Sequence, residues 1–132
     1  MRDTVIAALA IGDVDTARRT IEASNDPRPY MAASRRLASA LLHEAEGNLE
    51  TAAAEFEWAA RELEPLATQH HAHALLGQGR CLVALGRGEQ AVAPLDGARD
   101  LARQMSATPW LAEADALLAG IEAPARGSPT GT

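Results

Sequence analysis

The chain has no lysine, so all twelve of its basic residues are arginine, and it has only one cysteine, Cys81. A lone cysteine excludes an internal disulfide and fits a reducing compartment, for which we expect the cytoplasm. The missing lysine excludes a phosphate-binding loop of the Gly-x-x-x-x-Gly-Lys type. No apolar run approaches the length that a membrane span needs, so we expect no membrane partner.

Residues that favour β-strands are also scarce. The chain has four aromatic residues other than histidine, few β-branched residues, and no segment that alternates polar and apolar side chains. Alanine, the best helix former, dominates instead, which predicts an all-α protein. The formal net charge is −6, whereas phosphate binding needs a basic face, so we do not expect nucleic acid as the partner.

One short pattern occurs three times. Residues 12–17 read Gly-Asp-Val-Asp-Thr-Ala, and related segments begin at Gly47 and Gly86, so that the glycines are 35 and 39 residues apart. In each copy a larger apolar residue follows the alanine by four positions, and these residues are Ile21, Phe56 and Leu95. A period of this size predicts stacked helical hairpins and favours binding over catalysis.

Glycine, proline and capping residues mark the helix ends. The predicted helices cover residues 3–11, 14–24, 30–46, 49–63, 68–85, 89–104 and 109–120. Two prolines predict a turn over residues 25–29, and Pro94 is expected in about the first turn of the sixth helix. Residues 1–121 form the predicted domain, whereas residues 122–132 read as a disordered tail because they offer no apolar face to bury.

The residues of the pattern that occurs three times resemble the tetratricopeptide (TPR) repeat. In that family a glycine closes the first helix, and an alanine, a large apolar residue and a small residue follow it at fixed positions. The matching sets are Gly47, Ala52, Phe56 and Ala59, then Gly86, Ala91, Leu95 and Ala98, then Gly12, Ala17, Ile21 and Ser24. The resemblance implies an α-solenoid of about three TPR-like helical hairpins with a C-terminal capping helix, acting as a protein-interaction scaffold.

Residues 98–119 resemble the closing repeats of large bacterial signalling ATPases, of the LuxR-type and adenylate cyclase-linked kinds. The resemblance rests on an alanine- and arginine-rich segment that contains Thr-Pro-Trp-Leu. It implies a module of a bacterial signalling or regulatory protein. It also leaves open a structural alternative, in which the segment self-associates or docks within a larger ATPase regulator.

Stacked hairpins form a concave face that is lined by the first helix of each pair. Repeat spacing predicts a groove there for a protein or peptide partner, lined by Ser34, Leu37, Leu41, Glu44, His73, Leu76, Arg80 and Val83. Arg80 is the predicted anchor because its guanidinium can bind a partner carboxylate through two nitrogen atoms. The alternative is that Leu37, Leu41 and Leu76 bury against neighbouring helices.

Catalysis and metal binding have little support in the sequence. His70 and His73 share a helix face and could supply two metal ligands, but we interpret them as polar residues at a helix start. We therefore expect no catalytic residue, no metal and no cofactor. Cys81 is expected to be a small buried apolar residue, and Trp110 is expected to cap the stack. Trp58 and Phe56 are two residues apart and cannot both face the same side of the fourth helix, so one of them could be partly exposed and available as a contact.

Overall fold

The computed structural model describes residues 2–24, 28–66 and 68–131, with side chains from Asp3 to Ile121. This part contains seven helices and no strand, which confirms the all-α prediction. The helices are α1 (Arg2–Ala10), α2 (Val14–Ala23), α3 (Pro29–Ala45), α4 (Leu49–Leu63), α5 (Thr68–Ala84), α6 (Gly88–Gln104) and α7 (Thr108–Gly131). None of them, over the described residues, has the length and apolar character to cross a membrane.

The first six helices begin and end within one residue of the predicted bounds, but two details differ. Helix α6 begins at Gly88, which places Pro94 in the helix interior rather than in about its first turn. Helix α7 continues past Gly120, where the sequence predicts its end. Most of the predicted turn and the side chains of the predicted tail lie outside the described residues.

Four helices end in the same backbone turn. At Gly12, Gly47 and Gly86 the φ angle is 78°, 85° and 78°, a left-handed conformation that glycine adopts without a steric penalty. The next residue donates its backbone N–H to the carbonyl five positions earlier, as Asn48 does to His43 at 2.8 Å. Ser106 closes α6 in this way with a φ of 55°, although it carries a side chain.

Helices that are neighbours in the chain pack together throughout, and a second set of contacts joins the odd-numbered helices. Helix α1 touches α3, α3 touches α5, and α5 touches α7. No contact between the even-numbered helices is found in the described part of the chain. The odd-numbered helices therefore form a continuous row, and α5 lies in its interior between α4 and α6.

The repeated pattern supplies the core. Ala52, Phe56 and Leu95 are fully buried, and so is Ala91. The ring of Phe56 lies over Gly77 of α5, where an added Cβ would come within 2.4 Å of the ring. Leu95 occupies the corresponding space over Gly79 from the α6 side. Helix α5 thus receives one large side chain from each neighbour at a position without a side chain of its own.

Candidate functional site

A groove opens between the odd-numbered helices and encloses about 470 Å3. Helices α1, α3, α5 and α7 all contribute to its lining. The lining residues are Ile6, Leu9, Ala10, Leu41, Glu44, Ala45, His73 and Trp110. Its volume is in the range of ligand pockets, and apolar side chains with a few polar groups are the usual lining of such pockets.

One wall of the groove is an apolar stripe on α1. Ile6, Leu9 and Ala10 are spaced by three and four residues, which places them on one side of the helix. Ile6 is 39% exposed although it is a large apolar residue. This wall is therefore only partly covered by the rest of the described chain.

The opposite wall is formed by an aromatic pair. The rings of His73 on α5 and Trp110 on α7 stack with centroids 5.1 Å apart and planes 24° from parallel. His73 is 8% exposed, so the stack fixes its ring deep in the wall. Trp110 also lines a second cavity of about 430 Å3, together with Gln69, Met105, Ala107 and Pro109. The indole thus separates two open spaces near the end of the helix row.

The lining residue Glu44 belongs to an ion-pair network that centres on Arg80. Its Nε and Nη2 donate to the two carboxylate oxygens of Glu44, the Nη2 bond being 2.6 Å long, and its Nη1 donates to Glu113 at 2.9 Å. Glu44 belongs to α3, Arg80 to α5 and Glu113 to α7. The arginine therefore bridges three helices of the row, and its two-nitrogen contact with Glu44 has the geometry of a strong carboxylate pair.

The charges around Arg80 do not cancel. Burial acts to lower the pKa of the Arg80 guanidinium, but hydrogen bonds and charge from Glu44, then Glu113, hold that pKa above its usual range. Arg80 is therefore permanently cationic. The network of Glu44, Arg80 and Glu113 therefore has one more carboxylate than cation.

The structure brings three of the predicted groove residues into the groove lining, namely Leu41, Glu44 and His73. Leu37 and Leu76 do not line it, because they are 0% and 1% exposed within the core that the helices share. Ser34 is also buried, and its hydroxyl has no hydrogen-bond partner among the described residues. Helical spacing marks an apolar stripe but does not tell whether the stripe faces a neighbouring helix or a groove.

The other two predicted groove residues have different roles from those expected. Val83 is half-buried and packs against the core. Arg80 already uses both edges of its guanidinium on Glu44 and Glu113, so it is not an unoccupied clamp for a partner carboxylate. Its partners lie 36 and 33 residues away in the chain, beyond the reach of any local pattern.

Sequence reasoning missed the α1 wall and the acidic partner Glu113. The spacing of Ile6, Leu9 and Ala10 was the available signal for the wall, since it is the pattern of an apolar helix face. Trp110 was expected as a cap on the stack, and it does pack partly against the core while one side lines the groove. No local signal marks Glu113, because its role depends on where α7 crosses α5.

A second polar cluster lies between α3 and α4. Glu55 accepts a hydrogen bond from Ser39 at 2.8 Å and has its other oxygen 2.5 Å from Nδ1 of His43. The guanidinium of Arg36 lies 4.6 Å above the ring of Trp58, which is half-buried. Trp58 is therefore covered on one face by a cation and is less available as a contact than the sequence suggests.

The remaining histidines have structural contacts. The hydroxyl of Tyr30 lies 3.1 Å from Nε2 of His70, and Nδ1 of His71 donates to the carbonyl of Ala60 at 2.8 Å. His73 faces Trp110. Among the residues whose side chains are described, no three His, Cys, Asp or Glu residues cluster as metal ligands. A two-histidine site at His70 and His73 thus gains no third ligand.

Cys81, in the last turn of α5, has a free thiol and is 0% exposed. Burial, followed by the nearby charge of Glu44, raises the pKa of this thiol to about 12, although Arg80 acts in the opposite direction. The thiol is therefore protonated at neutral pH and is a poor nucleophile.

Comparisons with known proteins add no relative from which a role could be transferred. No protein-family model, no curated protein and no solved structure matches the chain.

Proposed function

We propose that the chain is a non-catalytic protein-interaction module, a TPR-like scaffold whose odd-numbered helices form a concave binding face. The observation that carries the proposal is the groove itself. Helices α1 and α7 lie at opposite ends of the row, and yet Ile6 and Trp110 line the same 470 Å3 space. A row of helices must curve for its two ends to border one cavity, and curvature of this kind gives repeat proteins their binding faces.

The lining supports binding rather than chemistry. A catalytic site needs a nucleophile or base of suitable pKa. The single thiol of the chain, that of Cys81, is buried and protonated, so it is not such a nucleophile. The exposed part of the groove consists mainly of apolar side chains, with Ile6 and Ala10 at its edge. Placement in a bacterial signalling or regulatory protein, in the reducing cytoplasm, completes this proposal and rests on the sequence pattern alone.

The test is a selection of random peptides displayed on phage, with the full chain as bait. Each enriched peptide is then titrated against the wild type, Ile6→Glu and Val92→Glu. Ile6 and Val92 are matched, because they are 39% and 37% exposed, but only Ile6 lines the groove. The proposal expects Ile6→Glu to weaken binding by about tenfold or more and Val92→Glu to leave it unchanged.

Two outcomes would overturn the proposal. One is a selection that enriches no peptide, or only peptides that bind Ile6→Glu as tightly as the wild type. The other is a concentration-dependent dimer in light scattering that dissociates on Ile6→Glu but not on Val92→Glu. That second result would assign the groove to a copy of this chain, as the self-association alternative requires.

A further inference from the structure

The groove combines an apolar wall that is not fully covered with Glu44, whose ion-pair network has one more carboxylate than cation. These two features specify the chemistry of its occupant. We infer that the partner is a basic amphipathic helix, whose apolar side chains pack on Ile6 and Trp110 and whose arginine or lysine reaches Glu44 and Glu113. This inference rests on the proposed function and adds the class of partner.

The charge argument depends on the ion-pair network around Arg80. Glu44 lines the groove, and Glu113 shares the guanidinium of Arg80 with it. Their side chains are 19% and 38% exposed, so both keep contact with solvent. Arg80 neutralises only one of these two charges. A cation from a partner would restore local neutrality, whereas a carboxylate would meet two glutamates at close range.

A helical partner follows from the form of the apolar wall. Ile6, Leu9 and Ala10 make a stripe with helical spacing, the kind of surface on which another helix packs its side chains. Recognition by helix-in-groove binding uses apolar anchors at this spacing. A second copy of this chain is a poorer occupant, because each copy carries a formal net charge of −6.

The probe is a fluorescein-labelled peptide of about 16 residues, built from leucine, alanine and glutamine with one central arginine, so that it can form an amphipathic helix. A matched peptide carries glutamate in place of that arginine. Fluorescence anisotropy measures the Kd of both peptides. The wild-type chain is expected to bind the arginine peptide at least about tenfold more tightly, with the difference shrinking in about 1 M NaCl, where charges are screened.

Variants of the chain locate the charge effect. Ala45→Arg places a cation in the groove lining, and Ala54→Arg places one on α4 outside it; both alanines are exposed. We expect Ala45→Arg to remove the preference for the arginine peptide and Ala54→Arg to keep it. Glu113→Gln, at the more exposed glutamate, should reduce the preference, and Arg80→Gln should increase it.

The Arg80 variant separates this inference from the sequence-based anchor hypothesis, in which loss of Arg80 abolishes binding of an acidic partner. Equal binding of the two peptides, a preference for the glutamate peptide, or a preference that survives Ala45→Arg would overturn the inference. If neither designed peptide binds while phage-selected peptides still require Ile6, the inference fails and the proposed function stands. If no peptide of either origin binds, both fail.

Discussion

The ring of Phe56 rests directly on Gly77, so closely that a methyl group at position 77 would lie 2.4 Å from Cε1 of the ring. Phe56 is fully buried and cannot swing into solvent. The contact therefore joins α4 to α5 by a match between a large side chain and a residue without one. A substitution at either residue can therefore disrupt the packing of α4 on α5.

Gly77→Ala should destabilise the protein. Overpacking costs about 1–3 kcal/mol, and the higher helix propensity of alanine returns at most about 1 kcal/mol, so a net loss of about 1–2 kcal/mol is expected. Urea unfolding measures the change. Gly120→Ala is the control, because nothing lies within 4 Å of its added Cβ, and it should be neutral or stabilising. Equal stability of the two variants would contradict the steric match.

A double-mutant cycle with Phe56→Leu extends this test. Phe56→Leu alone removes buried contacts and is expected to cost stability. In the Gly77→Ala background the smaller side chain makes room for the new methyl group, so the cost of the double variant should be below the sum of the single costs. Simple additivity would show that the alanine is accommodated elsewhere.

The turn that ends α6 predicts a stabilising substitution. Ser106 adopts a φ of 55°, and the left-handed conformation costs a residue with a Cβ about 1–2 kcal/mol. Ser106→Gly should therefore raise the free energy of unfolding by about 1 kcal/mol in urea titrations. Ser106→Ala keeps the Cβ and should change it by less than about 0.5 kcal/mol. Gly47→Ala, at a φ of 85°, should lower it.

The same turn shows what the sequence can predict. Glycine marks three of the four helix-ending turns, because the left-handed conformation favours that residue. These glycines allowed the sequence to predict the helix ends to within one residue. The turn at Ser106 carries no such mark, because serine does not favour the left-handed conformation that it adopts there. Helix α7 continues past Gly120 for the converse reason, that a glycine permits a helix end without requiring one.

The candidate site was less predictable than the fold. Leu41 and Glu44, three residues apart on one face of α3, both line the groove. Leu37 shares that face but lies in the core, and Arg80 is paired with carboxylates more than thirty residues away. Such pairings depend on how helices from different repeats cross, and no local spacing encodes that crossing.

The thiol of Cys81 should be unreactive in the folded protein. Its burial and raised pKa predict that a thiol reagent at neutral pH modifies it only as fast as the chain opens, and much faster in denaturant. Rapid labelling of the folded chain, compared with the same chain in urea, would show that the thiol is accessible.

The raised pKa of Cys81 also predicts a pH dependence of stability. The thiol binds its proton more tightly when folded than when unfolded, where its pKa is near 9.0, so its contribution is complete below that pH. The contribution declines as pH rises from 9.0 towards the folded value of about 12. The free energy of unfolding of the wild type should therefore fall relative to that of Cys81→Ala between pH 8 and pH 10, because the unfolded chain loses the thiol proton at a lower pH than the folded chain. A constant difference between the two proteins would contradict the prediction.

Two arginine–glutamate pairs, each with two hydrogen bonds, should differ in their contribution to stability. Arg80 binds Glu44 through Nε and Nη2, whereas Arg87 binds Glu50 through Nη1 and Nη2, with bonds of 2.5 and 3.0 Å. The Glu44 side chain is 19% exposed and that of Glu50 is 65% exposed. Burial makes a lost partner costly because water cannot fully replace it, whereas an exposed pair exchanges freely with solvent.

Glu44→Gln is accordingly expected to cost about 1–3 kcal/mol in urea unfolding, and Glu50→Gln is expected to cost less. Adding salt should separate the costs of the two substitutions further. Screening in about 1 M NaCl should remove most of the contribution that the exposed pair makes to stability and little of the contribution of the buried pair. Glutamine keeps the size of the side chain, so the comparison isolates the charge. If Glu50→Gln proved as costly as Glu44→Gln, burial would not determine how much these ion pairs contribute to stability.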